Sequence, residues 1–141
     1  MKKLAAYERL SHEVVATEED FAAALFGATR VAEALLAFLG SQPVGFALYF
    51  STFSTFVGRP GIYLEDIFVE PEHRGRGIGT ALLTRIAKIA GDRNCGRVEW
   101  SVLTWNEPSI GFYERLGAQR MEEWRVFRLA GTALNELARR G

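Results

Sequence analysis

Along the chain, apolar runs and polar breaks alternate at spacings that separate strands from helices. Residues 2 to 10 favour helix for barely two turns, which is marginal for an isolated segment. Thr17 stands ahead of Glu18, Glu19 and Asp20, an N-cap with an acidic first turn. It predicts a short helix through Leu25, ended by Gly27. Val31 to Phe38 is apolar but alanine-rich, and periodicity alone leaves strand and helix open. The turn signal Gly40-Ser41-Gln42-Pro43 leads straight into Val44 to Phe53, a run of branched and aromatic residues. So short a connection favours a hairpin, and both segments are therefore expected to be strands. Gly58-Arg59-Pro60-Gly61 makes the next turn, and Ile62 to Val69 completes an antiparallel meander.

A second pattern follows. Ile78, Leu82, Ile86 and Ile89, with Leu83 and Ala90 beside them, form the apolar stripe of a helix running from near Gly77 to near Asn94. Arg97 to Leu103 alternates Val98, Trp100 and Val102 against Glu99 and Ser101, which reads as a strand. Strand, crossover helix and strand make a right-handed unit, so this strand is expected to lie parallel to the one ending at Val69. Asn106 can cap a helix with Pro108 in its first turn, stopped by Gly117 after Leu116. Glu123 to Leu129 is expected as a closing strand, and Thr132 to Arg139 as a short terminal helix. The expected fold class is α+β, a mixed and mostly antiparallel sheet flanked by helices, with residues 1–141 as a single domain.

Composition narrows the function. At 141 residues and 48% hydrophobic, the chain supports one substantial core. Lysine plus arginine equal aspartate plus glutamate at 17 each, so no global charge points to nucleic acid or an anionic membrane. Any anion site must be local. Cys95 is the single cysteine, which excludes an intramolecular disulfide and suggests a reducing, cytoplasmic setting. Two histidines and one cysteine cannot build a standard structural zinc site, and no metal is expected. His12 and His73 read as surface residues. The start resembles a secretory leader only as far as Tyr7, Glu8 and Arg9, which end the apolar run. No uninterrupted apolar stretch is long enough to span a bilayer.

The candidate chemistry concentrates between Tyr63 and Leu83. A strand carrying Glu65 and Asp66 stops at Pro71, and a basic, glycine-rich turn opens directly into the long helix. Gly75, Gly77 and Gly79 leave backbone N–H groups bare to an anion, and the helix aims its positive end at the same place. Arg74 and Arg76 add charge. No Gly-Lys-Ser/Thr follows, which argues against a nucleotide P-loop, and Thr80 stands where a dinucleotide fingerprint wants its third glycine. In a mixed sheet, ligands favour the cleft beyond the carboxyl ends of parallel strands, where this turn and the Trp105-Asn106 segment are expected. Glu65 and Asp66 are adjacent, so a regular strand would point one of them into the core. A buried carboxylate is costly without a partner, so either one is functional or the strand is bulged.

These residues resemble the GNAT superfamily of N-acetyltransferases. Arg74-Gly-Arg-Gly-Ile-Gly79 resembles its coenzyme A pyrophosphate loop. A closer similarity is to the spermidine/spermine (diamine) and thialysine N-acetyltransferase branch. It is carried by Tyr63-Leu-Glu-Asp-Ile-Phe-Val69, Trp105-Asn-Glu-Pro-Ser109 and Phe112-Tyr-Glu-Arg-Leu-Gly-Ala118. The resemblance implies a central parallel pair that splays apart around acetyl-coenzyme A. By motif position, Ile67, Phe68 and Val69 would offer backbone groups to the pantetheine, and Arg74, Gly75, Arg76, Gly77, Ile78, Gly79 and Thr80 would hold the pyrophosphate. Asn106, Glu107, Pro108 and Ser109 would meet the cofactor's reactive end, with Tyr113 beside the thioester sulfur. The branch binds its amine partly through an early Tyr-Glu pair, matched by Tyr7-Glu8, and through acidic residues of the cleft, here Glu65, Asp66 and Glu123.

The implied activity is acetyl transfer from acetyl-coenzyme A to a small primary amine, either a diamine or polyamine or a lysine-like amino acid. An alkyl ammonium of pKa about 10.4 must lose its proton first, at a cost of about 4 to 5 kcal/mol near neutral pH. Glu65 is the candidate to bind that cation and take its proton, and Tyr113 the candidate to protonate the departing thiolate. A covalent route through Cys95, set in the turn before the last parallel strand, is disfavoured. The polyamine enzymes carry an Asp and a Trp in the loop between the second and third strands of the meander. The segment here is Ser54-Thr55-Phe56, closer to the thialysine side. The family also begins with a strand and most of a helix before its Tyr-Glu pair. The strand from Val31 is therefore expected at an exposed edge: either the start is truncated, or a partner chain covers the edge, as in a homodimer. Two other functions remain open: a non-catalytic coenzyme A-binding or sensing module, and acetylation of a peptide or protein amine.

Overall fold

The sheet explains itself from the hairpin outward. In the computed structural model, which describes residues 1–141, β1 (Glu33–Leu39), β2 (Gln42–Ser54) and β3 (Arg59–Val69) form the expected antiparallel meander. β4 follows, and the order in the sheet is β1-β2-β3-β4. β4 (Val98–Glu99) is parallel to β3 but pairs only at Ile62–Val98 and Tyr63–Glu99. β3 runs on to Val69 without it, so the parallel pair opens after two rungs. The strand expected over Arg97 to Leu103 is therefore cut short, because beyond Glu99 its backbone has no ladder. The Tyr63 hydroxyl, 2.9 Å from Ser101 Oγ, ties the departing chain back.

Three helices accompany these strands in a compact unit spanning Met1–Leu103. α1 (Lys2–Tyr7) is shorter than the sequence suggests. Arg9 adopts a left-handed backbone (φ 60°), and the Leu10 N–H returns to the Ala5 carbonyl, which closes the helix after two turns. α2 (Glu18–Phe26) starts on the expected cap: Thr17 Oγ1 accepts from the Asp20 N–H while Asp20 Oδ2 accepts from the Thr17 N–H. α3 (Ile78–Asp92) buries Leu82, Leu83, Ile86 and Ala90, the predicted stripe, and ends at Asn94 in a left-handed turn.

α3 covers one face of the sheet. A Cβ on Gly45 would lie 3.6 Å from Ile78 Cγ2, and the Arg93 guanidinium lies over the Tyr49 ring. α3 therefore packs on the face carrying Ala47, Tyr49, Ile62 and Leu64, all buried. The other face carries the aromatic pairs Phe46–Phe68 and Phe50–Tyr63.

A second compact unit spans Thr104–Gly141. It holds α4 (Glu107–Arg115), capped by Asn106 Oδ1 on the Ser109 N–H, and α5 (Gly131–Ala138). Gly117 (φ 93°) ends α4, with the Ala118 N–H on the Tyr113 carbonyl. The closing strand expected over Glu123 to Leu129 is not formed. Its alternation is present in sequence, but a strand needs a ladder partner, and here Val126 and Phe127 are 84% and 93% exposed.

Candidate active site

The central feature is a bulge in β3. Leu48 of β2 faces Asp66, and its neighbour Tyr49 faces Leu64, so Glu65 has no partner. Cross-strand partners share a face. Leu64 opposite Tyr49 and Ile67 opposite Ala47 thus point to the α3 side, while both residues between them turn to the other. The conflict posed by two adjacent carboxylates resolves in this way. Neither enters the core beneath α3.

The surroundings of Asp66 have consequences. It is half-buried, and Glu65 is exposed beside it. Burial chiefly, then the charges of Glu65 and Glu8, raise the Asp66 carboxyl to about 6. Burial also raises Glu8. Glu8 is the C-terminal cap of α1, so the short helix brings Tyr7-Glu8 to the face that carries Asp66. Three of the five residues expected to bind the amine, Glu8, Glu65 and Asp66, form one electrostatic group. Tyr7 stands next to them.

The helix is fastened to the end of β3. Lys3 Nζ pairs with Glu70 Oε1 at 2.8 Å. The Arg74 guanidinium carbon lies 4.9 Å from the centre of the Tyr7 ring and 5.5 Å from that of Phe68, and Arg74 Nε donates to the Val69 carbonyl at 3.0 Å. The resemblance assigns Arg74 to the pyrophosphate; here its side chain lies over the Tyr7 and Phe68 rings at the strand end. Lys3 and Glu70 were not singled out, and nothing in a single sequence marks a pair so far apart.

The glycine-rich turn has the form a phosphate cradle requires. Gly75 and Gly77 have φ of 76° and 81°, and a Cβ on either would meet no atom within 4 Å. Their backbone is thus bare on its open side. Gly77 is also the N-cap of α3, whose first N–H groups, from Ile78, Gly79 and Thr80, have no acceptor within the helix. Arg76 is exposed at the same turn. His73, expected at the surface, is half-buried, with Nδ1 shielded and unpartnered.

In the second unit, Asn106 is buried, Glu107 opens the first turn of α4 with Pro108 and Ser109, and Tyr113 lies in its last turn against the Phe112 ring. Glu123 lines an open hollow of about 660 Å³ with Glu114, Arg120 and Trp124. Arg120 pairs there with Glu114, which holds that carboxyl below its usual range.

A parallel pair that opens at its carboxyl end, beside a glycine cradle and a carboxylate-bearing bulge, is the arrangement that the resemblance to the GNAT superfamily implies. The chain belongs to the acetyltransferase (GNAT) family, whose model matches residues 2–118. It is 41% identical to a thialysine N-epsilon-acetyltransferase of Bos taurus, over 98% of this chain and 87% of that one. Identity to an L-ornithine N5-acetyltransferase of Arabidopsis thaliana is 34%, over 96% and 79%. An integron cassette protein from the mobile metagenome of V. cholerae superposes with a TM-score of 0.80 at 31% identity, covering 96% of this chain and 85% of that one. The protein is an N-acetyltransferase with acetyl-coenzyme A as donor. No helix is long and apolar enough to cross a membrane.

Proposed function

We propose that the acceptor is the terminal primary amine of a small, lysine-like amino acid. The observation that carries this reading is the β3 bulge, which sets Glu65 and Asp66 on one face with Glu8 nearby. Three carboxylates suit an alkyl ammonium, and the relatives named for thialysine and ornithine act on amines of that kind. Ser54-Thr55-Phe56 in the β2–β3 loop, without the Asp and Trp of the polyamine enzymes, favours an amino acid over spermidine.

In this reading Gly75 to Thr80 bind the pyrophosphate through backbone N–H groups, joined by the charge of Arg76. Ile67, Phe68 and Val69 guide the pantetheine. Acetyl-coenzyme A supplies an activated acyl group; the chain supplies charge and protons. Glu8 and Asp66 attract the ammonium, and Glu65, the most exposed of the three, takes its proton directly or through one water. The neutral amine then attacks the thioester. Asn106 to Ser109 steady the reactive end, and the Tyr113 hydroxyl protonates the thiolate as it leaves. Glu123 contributes charge for the far end of the acceptor. The enzyme works in the cytoplasm as a homodimer in this account, supported by the free Cys95 thiol and by the edge strand β1 with exposed Leu36 and Phe38.

Thiol release with thialysine, lysine, ornithine, putrescine and spermidine tests the assignment. The amino acids should give the higher kcat/KM. Preference for spermidine moves the enzyme to the polyamine side, and turnover of peptides alone rejects a small acceptor.

A further inference from the structure

Arg74 begins the glycine-rich turn, and its side chain engages the end of β3 and α1. It lies over two aromatic rings, Tyr7 from α1 and Phe68 from β3, and donates from Nε to the Val69 carbonyl. A guanidinium can stack its plane and donate from its edge together; an ammonium cannot. α1 has six residues, too few to hold helical form unaided, and its C-terminal cap is Glu8. Lys3 also pairs with Glu70 just past the end of β3, but that lysine is 70% exposed and so weakly held.

We propose that Arg74 is a positioning residue for the acceptor: by seating Tyr7 on β3 it fixes the end of α1 and holds Glu8 beside Asp66. The inference rests on the acceptor site assigned above. One side chain then joins the turn that cradles the donor to the helix that presents the acceptor's carboxylate. A donor bound at Gly75 to Thr80 stiffens the backbone that carries Arg74, and the acceptor site is ordered with it. Removal of the guanidinium should therefore impair amine binding more than the chemical step or the binding of coenzyme A.

The test compares Arg74→Gln and Arg74→Lys in the full chain, alone and combined with Tyr7→Leu or Tyr7→Phe. Calorimetry gives the Kd of coenzyme A, kinetics separate amine KM from kcat, and hydrogen exchange follows the amides of residues 2–10. Arg74→Gln should raise the amine KM about tenfold, the order of one lost stacking and hydrogen-bonding contact, with kcat and the coenzyme A Kd changed less than about threefold. Arg74→Lys should recover only part of the loss. In the Tyr7→Leu background Arg74→Gln should add nothing further, whereas in Tyr7→Phe, which keeps the ring, it should still raise KM. Exchange in α1 should quicken in Arg74→Gln. A loss confined to coenzyme A affinity, or full additivity with Tyr7→Leu, overturns the proposal. If no small amine is turned over, the acceptor assignment fails separately. Faster α1 exchange at unchanged coenzyme A affinity would still support the coupling, and unaltered exchange would reject it.

Discussion

Asp66 shows how much one backbone irregularity decides. With its folded pKa raised to about 6 from 3.8, the folded state holds this proton more tightly than the unfolded chain does. Between those values the folded protein binds more protons, so stability falls as pH rises through the window and the full cost is present above it. A shift of about 2 units corresponds to ~3 kcal/mol, which partial solvation reduces to roughly 1–2 kcal/mol. Asp66→Asn should accordingly raise Tm at about pH 8 and leave it nearly unchanged at about pH 4. Function moves the other way. An ammonium is attracted only by the ionised carboxylate, so amine affinity should fall as pH drops through about 6 in the wild type, and that limb should vanish in Asp66→Asn. Thermal melts and amine KM across pH check both. Tyr113 is tested at the same scale. Tyr113→Phe removes the proposed proton donor and should lower kcat by roughly 10² or more, the general-acid contribution, with amine KM little altered. An unchanged kcat would show that this phenol is not the proton donor.

Elements were legible to the extent that their cause is local. The meander follows from branched and aromatic runs between glycine turns, α3 from its stripe, and α2 and α4 from Thr17 and Asn106. The bulge is different in kind. It is set by the register of β3 against Leu48 and Tyr49, and β3 alone revealed only that two neighbouring carboxylates were in conflict. Glu123 to Leu129 has a strand's alternation but no ladder, and β4 keeps two paired residues because its partner diverges. Arg9 ends α1 in a conformation usually left to glycine or asparagine, which no propensity foretells. The turn between β3 and α3 was the most readable part of the site, since positive φ at Gly75 and Gly77 is a demand on composition. Gly77→Ala should cost about 1–2 kcal/mol, the penalty for a side chain in that backbone region. It should also weaken coenzyme A binding by shifting the first N–H groups of α3. Denaturant melts and calorimetry read the two effects independently.

Across the whole molecule, the proposed donor and acceptor sites meet on β3. Its bulge carries Glu65 and Asp66, its last residues are those assigned above to the pantetheine, and the turn after it has the form of a phosphate cradle. α3 anchors one face of this strand through Ile86, fully buried, and α1 brings Glu8 to the other. The balanced charge of the chain fits a small substrate met by a local acidic group. What the sequence could not supply was the set of ties across the molecule, Arg74 on Tyr7 and Lys3 on Glu70, because each partner's type is common and only the fold makes them neighbours. The central claim, that a carboxylate of the bulge deprotonates a small amine for attack on acetyl-coenzyme A, is tested most directly by kcat/KM for thialysine in wild type and Glu65→Gln. The account predicts a fall of roughly 10²–10⁴-fold, the span of general-base catalysis, with the Kd of coenzyme A preserved. Activity within about threefold of wild type would contradict it.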